Sequence, residues 1–434
     1  MNDSPGEEHL AFTQWAMSNG IKIKGIAPAR FPGRRLGMVA TRAIEKNEIM
    51  LTVPVSLMLT IDSIPSSFVD QFPKRTSIHG ILAAFLTHGD PDLLAKLDTW
   101  RGVWPDWAEF ENSMPVFWPE RLRVSNSVST SPGKDAVGPI LLPPSISGLW
   151  NTFQKQPVPV KYETRYQNLL AQQEKRLKEA WRHVVSVFPE TEWETFAYNW
   201  AIINSRSFYY VSPGKDEPED WNDAIAMVPF ADYFNHVDDA ACDVTFDGKK
   251  YTFKATKRYE KGEEIYMSYG SHSNDFLLVE YGFCLDNNPS DSIYLDDIIF
   301  PELTRAEKTE LAAHDFFGNY EITSSGPNEN TTAVVCIKCM SRKDWPDYAA
   351  GRSQRGFDAK LTADMLRDWV QTYLQECTVA IEALMDVSGT ISARLTETGA
   401  IEPENATKEK LDLILSRWKQ IKSLCEAVLK ASAN

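Results

Sequence analysis

The chain has 434 residues, of which 43% are hydrophobic, 11% aromatic and 24% charged. These values are typical of folded globular proteins and exclude fibrous chains and chains that are disordered throughout. The length predicts two or three domains, or one large domain with an insertion. The 45 Lys and Arg stand against 60 Asp and Glu, which gives a net charge of −15. Because an acidic surface repels phosphate backbones, we expect no direct nucleic-acid binding and a basic partner instead.

The cysteines and the N-terminus indicate the compartment. Six cysteines in this length do not make a disulfide framework. Cys336 and Cys339 have a metal-like spacing, but no second CxxC or HxxxH pair accompanies them, so we predict no bound metal. Residues 1–9 lack the apolar region of a signal peptide, and the most apolar stretch, 49–61, is too short to span a bilayer. We therefore expect a monomer in the cytoplasm, the nucleus or both, without membrane association.

The first part of the chain has mainly strand periodicity. A short helix is predicted over 9–19, and short strands bounded by Gly and Pro are predicted over 21–26, 36–41, 49–53 and 57–60. Helical spacing of apolar residues then predicts helices over 77–88, 163–188 and 192–210, with a Ser-, Pro- and Gly-rich loop over 125–148. The helices follow the first strands as an insertion.

Strand periodicity returns after this insertion. Residues 242–246 and 251–255 alternate apolar and polar side chains on either side of Asp247-Gly248, which predicts a β-hairpin. Beyond residue 303 the pattern is mostly helical, with strong amphipathic segments over 362–385 and 408–432. The sequence therefore predicts an α+β fold, with strands on both sides of a helical insertion and an all-α C-terminal module.

Several enzyme classes lack their usual motifs in this sequence. No two glycines are separated by a single residue, so the dinucleotide-binding G-x-G-x-x-G is absent. Neither G-x-x-x-x-G-K-[ST], G-x-S-x-G nor H-E-x-x-H occurs. These absences disfavour dinucleotide oxidoreductases, Rossmann-type methyltransferases, P-loop ATPases and α/β-hydrolases.

Three segments form a pattern that none of them forms alone. The first, at 33–48, reads G-R-R-L-G-M-V-A-T-R-A-I-E-K-N-E; the second, at 229–236, reads P-F-A-D-Y-F-N-H; the third, at 261–270, reads K-G-E-E-I-Y-M-S-Y-G, with Y-G-F following at 281–283. Taken singly, they are explained by turn glycines, a capping Asn-His pair and a half-buried strand tyrosine. In this order they resemble SET-domain protein methyltransferases of the class typified by the plant Rubisco large-subunit lysine methyltransferase.

The resemblance implies a domain organisation. In that class a helical insertion splits the β-rich SET domain, and a helical substrate-binding domain follows. We therefore expect a SET domain over 20–290, with core halves at about 20–61 and 195–290 around an insertion at about 62–194, and a helical domain over 291–434. The closely spaced cysteines of a post-SET zinc cluster are missing, which agrees with the class because its helical module covers the site.

The same resemblance implies S-adenosylmethionine as the cofactor. The segment Arg34-Arg35-Leu36 matches the family loop that cradles the cofactor through backbone groups, although the family often has glycine where Arg35 stands. Arg206 matches the arginine near the cofactor carboxylate, a task that suits the fork of a guanidinium. Asn235 and His236 match the pair that meets the adenine and the amino-acid end of the cofactor.

The resemblance also assigns the chemistry and the substrate channel. Tyr269 matches the catalytic tyrosine, which also lies beside the cofactor. The residues expected along the substrate channel are Arg206, Tyr210, Asp232, Tyr281 and Phe283. For the last four of these, packing in the core is an equally simple explanation.

The expected reaction is methyl transfer to a lysine of a protein substrate. The acidic surface suits a Lys-rich protein such as a ribosomal protein, a translation factor or a histone tail. Methylation of histidine is an alternative, because one branch of the class performs it. A non-catalytic SET-fold binding protein is another alternative, which the departure at Arg35 supports, and an unrelated helical interaction protein is a third.

Overall fold

The computed structural model describes residues 4–31, 34–123, 138–156, 162, 164, 166–239, 242–398 and 402–431. The strands in this part of the chain are β1 Lys22–Ile23, β2 Ile26–Phe31, β3 Arg34–Ala40, β4 Ile49–Pro54, β5 Ser207–Tyr209, β6 Ile225–Met227, β7 Cys242–Phe246, β8 Lys250–Ala255, β9 Glu264–Ile265, β10 Ser292–Tyr294, β11 Glu321–Thr323 and β12 Gly326–Pro327.

The helices are α1 Glu7–Ser18, α2 Ser66–Val69, α3 Ile78–His88, α4 Pro91–Ala95, α5 Asp98–Arg101, α6 Trp107–Ser113, α7 Glu120–Arg123, α8 Pro144–Ser147, α9 Leu169–Val187, α10 Trp193–Arg206, α11 Asn274–Tyr281, α12 Asp296–Ile299, α13 Arg305–Ala313, α14 Glu329–Cys339, α15 Trp345–Ala349, α16 Ala359–Thr398 and α17 Glu402–Ala431. No helix in the described ranges is long and apolar enough to cross a membrane.

The chain divides into two compact units. The first consists of residues 1–110 and 174–271, and the second of residues 111–173 and 272–434. The first unit contains three antiparallel sheets with the strand orders β1-β4-β8-β7, β2-β3-β9 and β5-β6. These sheets, together with the helices, confirm the predicted α+β class. The predicted domain boundaries are drawn from the family pattern and stay predictions.

The second unit is mainly helical but contains a small sheet. Strands β10, β11 and β12 pair antiparallel in that order. The C-terminal region is mainly helical as predicted, and the small sheet is an addition that the sequence did not indicate, because strands of two or three residues leave no readable alternation. The two amphipathic helices are confirmed as α16 and α17, whose apolar stripes bury Trp369 and Tyr373 on one helix and Ile414 and Trp418 on the other.

The hairpin predicted from Asp247-Gly248 is present between β7 and β8. Gly248 has φ +84°, a conformation that residues with a side chain rarely adopt. The Asp247 carboxylate accepts the backbone N–H groups of Lys249 and Lys250, each at 2.9 Å. Alternation along β8 then buries Phe253, so the turn and the core select the same register.

Helices α3 and α10 supply much of the helical core of the first unit. His79 on α3 stacks on Trp200 on α10, with ring centroids 4.5 Å apart, and its Nε2 donates to the Trp200 carbonyl at 3.1 Å. Helix α10 ends at Arg206, so the helix predicted over 192–210 is too long. Residues 207–209 form β5 and pair with β6 instead, because the hydrogen bonds between the strands outweigh the helical pattern of the sequence.

Two further elements differ from the predictions. The strand predicted over 57–60 is a 3₁₀ turn at Val55–Leu57 followed by a single bridge between Leu59 and Met227. The helix predicted from residue 163 begins only at Leu169, because Asn168 has φ +55° and a left-handed residue cannot continue a right-handed helix. Much of the loop predicted over 125–148 lies outside the described residues.

Candidate functional site

The candidate site is built around the chain from residue 230 to residue 236. Phe230 is fully buried and has φ +69°, a region that a bulky residue seldom occupies. The rings of Phe12 and Tyr233 pack against it, with centroids 6.1 and 5.5 Å away. A strained backbone that packing holds in place is typical of functional turns. Here it begins the 3₁₀ turn Ala231–Tyr233, which leads directly into the Asn-His pair.

Asn235 joins this turn to two strands of the sheet β2-β3-β9. Its Nδ2 donates to the Leu36 carbonyl at 3.0 Å and to Glu264 Oε1 at 2.7 Å. Its own carbonyl accepts the Met267 N–H at 3.0 Å. A Cβ on Gly37 would lie 2.6 Å from Asn235 Nδ2 and 2.6 Å from Glu264 Oε1, closer than packed atoms allow. Glycine at position 37 is therefore what lets the amide reach β3.

Tyr269 is held at both its backbone and its hydroxyl. Its N–H donates to His236 Nδ1 at 3.1 Å, and its O–H donates to the Phe234 carbonyl at 2.7 Å. The His236 and Tyr269 rings stack with centroids 5.0 Å apart. Burial raises the pKa of Tyr269 to about 12, so the phenol stays protonated at neutral pH. This geometry suits a fixed, orienting hydroxyl rather than a proton-abstracting base.

Arg206 and Asp232 form a charged pair beside this turn. Arg206 Nη1 donates to the Asp232 carbonyl at 3.0 Å and to Asp232 Oδ2 at 3.4 Å, and the same Oδ2 accepts the Trp100 indole N–H at 3.1 Å. The Asp232 side chain is 3% exposed, whereas that of Arg206 is 24% exposed. Burial raises the pKa of Asp232, and the Arg206 charge opposes that shift.

Two buried atoms of this pair make no hydrogen bond within the described part of the chain. They are Arg206 Nε and Asp232 Oδ1. Most buried donors and acceptors in proteins are satisfied, so unsatisfied atoms in a charged pair beside a strained turn are candidates for binding a ligand. A guanidinium with an unused N–H can bind a carboxylate, whereas the unused Asp232 oxygen can only accept from a donor, so the Arg206 side of the pair is where an anionic part of a ligand would bind.

The structure brings most of the predicted site residues into the first unit. The contacts described above join Asn235 to Leu36, Tyr269 to His236 and Arg206 to Asp232, and the chain from residue 232 to residue 236 links the three pairs. Arg34 and Arg35 are the first residues of β3, so the segment predicted as a loop is a strand there. The side chains of Arg34 and Arg35 lie outside the described residues.

The other predicted channel residues have different surroundings. Tyr210 is buried in the first unit, where its hydroxyl donates to Asp62 Oδ2 at 3.2 Å and its ring lies against Phe246. Tyr281 and Phe283 belong to the second unit, on either side of the glycine that ends α11, and their ring centroids are 6.2 Å apart. Their place along a substrate channel stays a prediction.

Two side chains of the site were missed in the sequence. Glu264 accepts from Asn235 and also from the Tyr266 hydroxyl at 2.5 Å. Strand alternation could have found it, because the next residue in the K-G-E-E-I segment, Ile265, is fully buried on the opposite side. Trp100 lies in the predicted insertion and is distant in sequence from all three segments. No sequence signal indicates its hydrogen bond to Asp232.

The described residues include groups that could bind a polar organic cofactor. No group of three His, Cys, Asp or Glu side chains in those ranges could hold a metal ion. The backbone of β3 at Leu36, the amide oxygen of Asn235 and the cation of Arg206 offer hydrogen-bonding and charged groups on neighbouring parts of the chain. These groups could hold a polar cofactor that carries a carboxylate.

Comparison with known proteins relates the chain to one family. The model of the SET domain matches residues 35–270, which is more than half of the chain. A ribosomal lysine N-methyltransferase of Schizosaccharomyces pombe is 30% identical over 219 residues, covering 47% of this chain and 56% of that protein. SET domain-containing protein 4 of Mus musculus is 22% identical over 91% of this chain and 88% of its own length.

Two further similarities bear on the reaction and the fold. An actin-histidine N-methyltransferase of Drosophila melanogaster is 25% identical over 68% of this chain and 53% of that protein. The crystal structure of the SET domain of LSMT, bound to methyl-lysine and AdoHcy, superposes with a TM-score of 0.57 at 15% identity, covering 99% of this chain and 94% of that one. At this identity the superposition establishes a shared fold.

Proposed function

The chain belongs to the SET-domain family of methyltransferases, and we propose that it transfers a methyl group from S-adenosylmethionine to a lysine side chain of a protein substrate. The observation that carries the proposal is the double anchoring of Tyr269, through its N–H to His236 and through its O–H to Phe234. This anchoring fixes a protonated phenol next to the pair Asn235-His236, as the proposed reaction requires.

The residues present fit S-adenosylmethionine. The absence of a Cβ at Gly37 leaves room for Asn235 to bridge to the backbone of β3, and the buried Nε of Arg206 lacks an acceptor among the described residues. Leu36, Asn235 and His236 would hold the body of the cofactor, and Arg206 would bind its carboxylate. When bound, S-adenosylmethionine supplies an electrophilic methyl group on a sulfonium.

The protein must deliver a neutral amine, although a free lysine has a pKa of about 10.4 and is protonated at neutral pH. An apolar, aromatic channel raises the free energy of the ammonium form and so lowers the pKa of the entering lysine. The Tyr269 hydroxyl, held on the Phe234 carbonyl, can then orient the lone pair of the amine. Positioning of this kind contributes several kcal/mol to catalysis without any strong base.

We propose a basic protein as the substrate. The net charge of −15 favours encounter with Lys-rich surfaces, and the 30% identical relative is by its name a ribosomal lysine methyltransferase. A second candidate is methylation of a protein histidine, which the similarity to an actin-histidine methyltransferase favours. Histidine has a pKa of about 6.5, so it would need less help in losing its proton.

The first test is calorimetric titration with S-adenosylhomocysteine. Micromolar binding to the wild-type protein, lost in Asn235→Ala, is the expected result, because this amide ties β3 to the candidate site. Asn19→Ala is the matched control, since the Asn19 amide only caps the exposed end of α1. No binding to a folded wild-type protein would contradict the proposal and favour a non-catalytic SET-fold binding protein.

The second test identifies the methylated residue. Ribosomal fractions and purified actin are incubated with the enzyme and methyl-labelled S-adenosylmethionine, and the labelled protein is hydrolysed to amino acids. Label in methyl-lysine of a ribosomal protein is expected. Label in methyl-histidine would move the assignment to the second candidate while keeping the cofactor and the site.

A further inference from the structure

Trp100 is a fully buried residue on the short helix α5, in the region predicted as the helical insertion. Its ring is parallel to that of Phe12 on α1, with centroids 6.4 Å apart, and meets Trp104 edge-on at 5.6 Å. Packing alone would explain a tryptophan in this position. The indole nitrogen, however, points at the buried oxygen Asp232 Oδ2, to which it donates at 3.1 Å.

Asp232 links this tryptophan to Arg206. A carboxylate that is only 3% exposed depends on protein donors, because water cannot solvate it. The donors to Oδ2 are the Trp100 indole and the Arg206 guanidinium. In turn, every side-chain hydrogen bond that Arg206 makes with the described residues goes to Asp232, to its carbonyl at 3.0 Å and to its carboxylate at 3.4 Å. The guanidinium is therefore oriented by Asp232, and the carboxylate part of that contact is held by Trp100.

We propose that Trp100 is a positioning residue for methyl-donor binding: its indole N–H fixes the Asp232 carboxylate, and this carboxylate holds the Arg206 guanidinium in place for the cofactor carboxylate. The proposal rests on the proposed function, in which Arg206 binds the cofactor. It also gives Asp232 a role other than lining the substrate channel, because Oδ2 is already used by Trp100 and Arg206.

The chain offers a matched pair of variants. Trp100→Phe removes the N–H donor and keeps an aromatic ring against Phe12. Trp104→Phe removes the same atoms from a neighbouring, almost fully buried tryptophan, whose indole nitrogen makes no hydrogen bond with the described residues. We expect Trp100→Phe to weaken S-adenosylhomocysteine binding about tenfold, as for a lost hydrogen bond to a charged group, and Trp104→Phe to leave it unchanged.

A kinetic measurement separates positioning from a general loss of structure. With methyl-labelled S-adenosylmethionine and a ribosomal fraction as substrate, Trp100→Phe should raise KM for the cofactor and leave kcat at saturating cofactor within about twofold of wild type. A merely structural role would reduce the amount of active enzyme and lower kcat without changing KM. That result would overturn the proposal.

The coupling to Arg206 is tested by a double-mutant cycle. In an Arg206→Lys background the guanidinium is already gone, so adding Trp100→Phe should weaken S-adenosylhomocysteine binding by less than about twofold. A full tenfold loss in that background would show that Trp100 acts by another route and would overturn the proposal. If the wild-type protein binds no S-adenosylhomocysteine, the proposed function itself fails; if it binds and the two tryptophan variants behave alike, only the positioning role fails.

Discussion

Each of the two units contains a buried arginine–aspartate cluster, and the clusters differ in how much of the guanidinium the protein uses. In the second unit Arg417 on α17 is 0% exposed and donates from all three nitrogens, to Asp275 at 2.7 Å and to Asp291 at 2.6 and 3.0 Å. In the first unit, and among the described residues, the Arg206 side chain donates only from Nη1, to Asp232, and its buried Nε makes no hydrogen bond.

The difference supports the proposal that Arg206 binds a ligand, whereas Arg417 belongs to an ion cluster that the fold itself satisfies. A buried charge is costly unless its donors and acceptors are satisfied by the fold, as those of Arg417 are. Among the described residues, Arg206 leaves part of its hydrogen-bonding capacity unused, beside the strained turn at Phe230, and this is where the proposed function places the cofactor carboxylate. The family resemblance predicts a ligand-binding role for Arg206, whereas nothing in the sequence predicts that Arg417 is buried in an ion cluster.

The largest expected effect is on stability, from Arg417→Met. This variant leaves Asp275 and Asp291 without their cation in a buried cluster, which typically costs about 3–5 kcal/mol of folding free energy. Urea unfolding followed by circular dichroism measures the loss. Arg206→Met is the reciprocal control: it should lose S-adenosylhomocysteine binding with a much smaller change in stability. Equal destabilisation by both variants would contradict the distinction between the clusters.

Next in size is the effect of Tyr269→Phe on turnover. Loss of the hydroxyl removes a preorganised group from the reaction centre, and groups of this kind contribute about 10²-fold or more to kcat. S-adenosylhomocysteine binding and the unfolding midpoint should stay close to wild type. The control is Tyr198→Phe, because the Tyr198 hydroxyl also donates to a backbone carbonyl, that of Pro105 at 3.0 Å. Near-normal turnover of the Tyr269→Phe variant would contradict the proposed catalytic role of the Tyr269 hydroxyl.

A smaller effect is expected from Gly37→Ala. The new methyl group would meet Asn235 Nδ2 and Glu264 Oε1, each at 2.6 Å, so one of them must move. Overpacking of this kind costs about 1–3 kcal/mol, and displacing the Asn235 amide should also weaken S-adenosylhomocysteine binding. Calorimetric titration and urea unfolding measure the two effects. Unchanged binding would mean that the contact between Asn235 and β3 is unimportant for the cofactor.

The fold is predicted correctly from the sequence where the local turn and capping residues specify the same structure as the pattern of buried side chains. The hairpin at Asp247-Gly248 is predicted because its turn residues and its alternation specify the same register. The prediction that the helix continues past Arg206 is wrong, because residues 207–209 pair with β6, which is distant in sequence, and this pairing decides their conformation. Sheet β10-β11-β12 escapes prediction for the related reason that its strands are too short to show a period.

In the candidate site, too, some residues were predicted from the sequence and others were not. Asn235, His236 and Tyr269 are predicted through motif resemblance, and the structure places Tyr269 in contact with His236. Their supporting groups are not found, since Trp100 reaches Asp232 across a sequence separation of 132 residues and a lone tryptophan in a helical segment usually indicates packing. The sequence thus predicts residues that form motifs, whereas the residues that position them emerge only from the fold.

The smallest expected effect is a gain in stability from Gly389→Ala, which completes the comparison between the units. Gly389 lies inside α16 in the second unit, and a Cβ there would meet no atom within 4 Å. Alanine is favoured over glycine in a helix interior by about 0.5–1 kcal/mol, so urea unfolding should show stabilisation of that order. S-adenosylhomocysteine binding should be unchanged. If Gly37→Ala lowers the free energy of unfolding and Gly389→Ala raises it, the destabilisation at position 37 comes from the contact of the new methyl group with Asn235 and Glu264. An added methyl group is then not destabilising by itself.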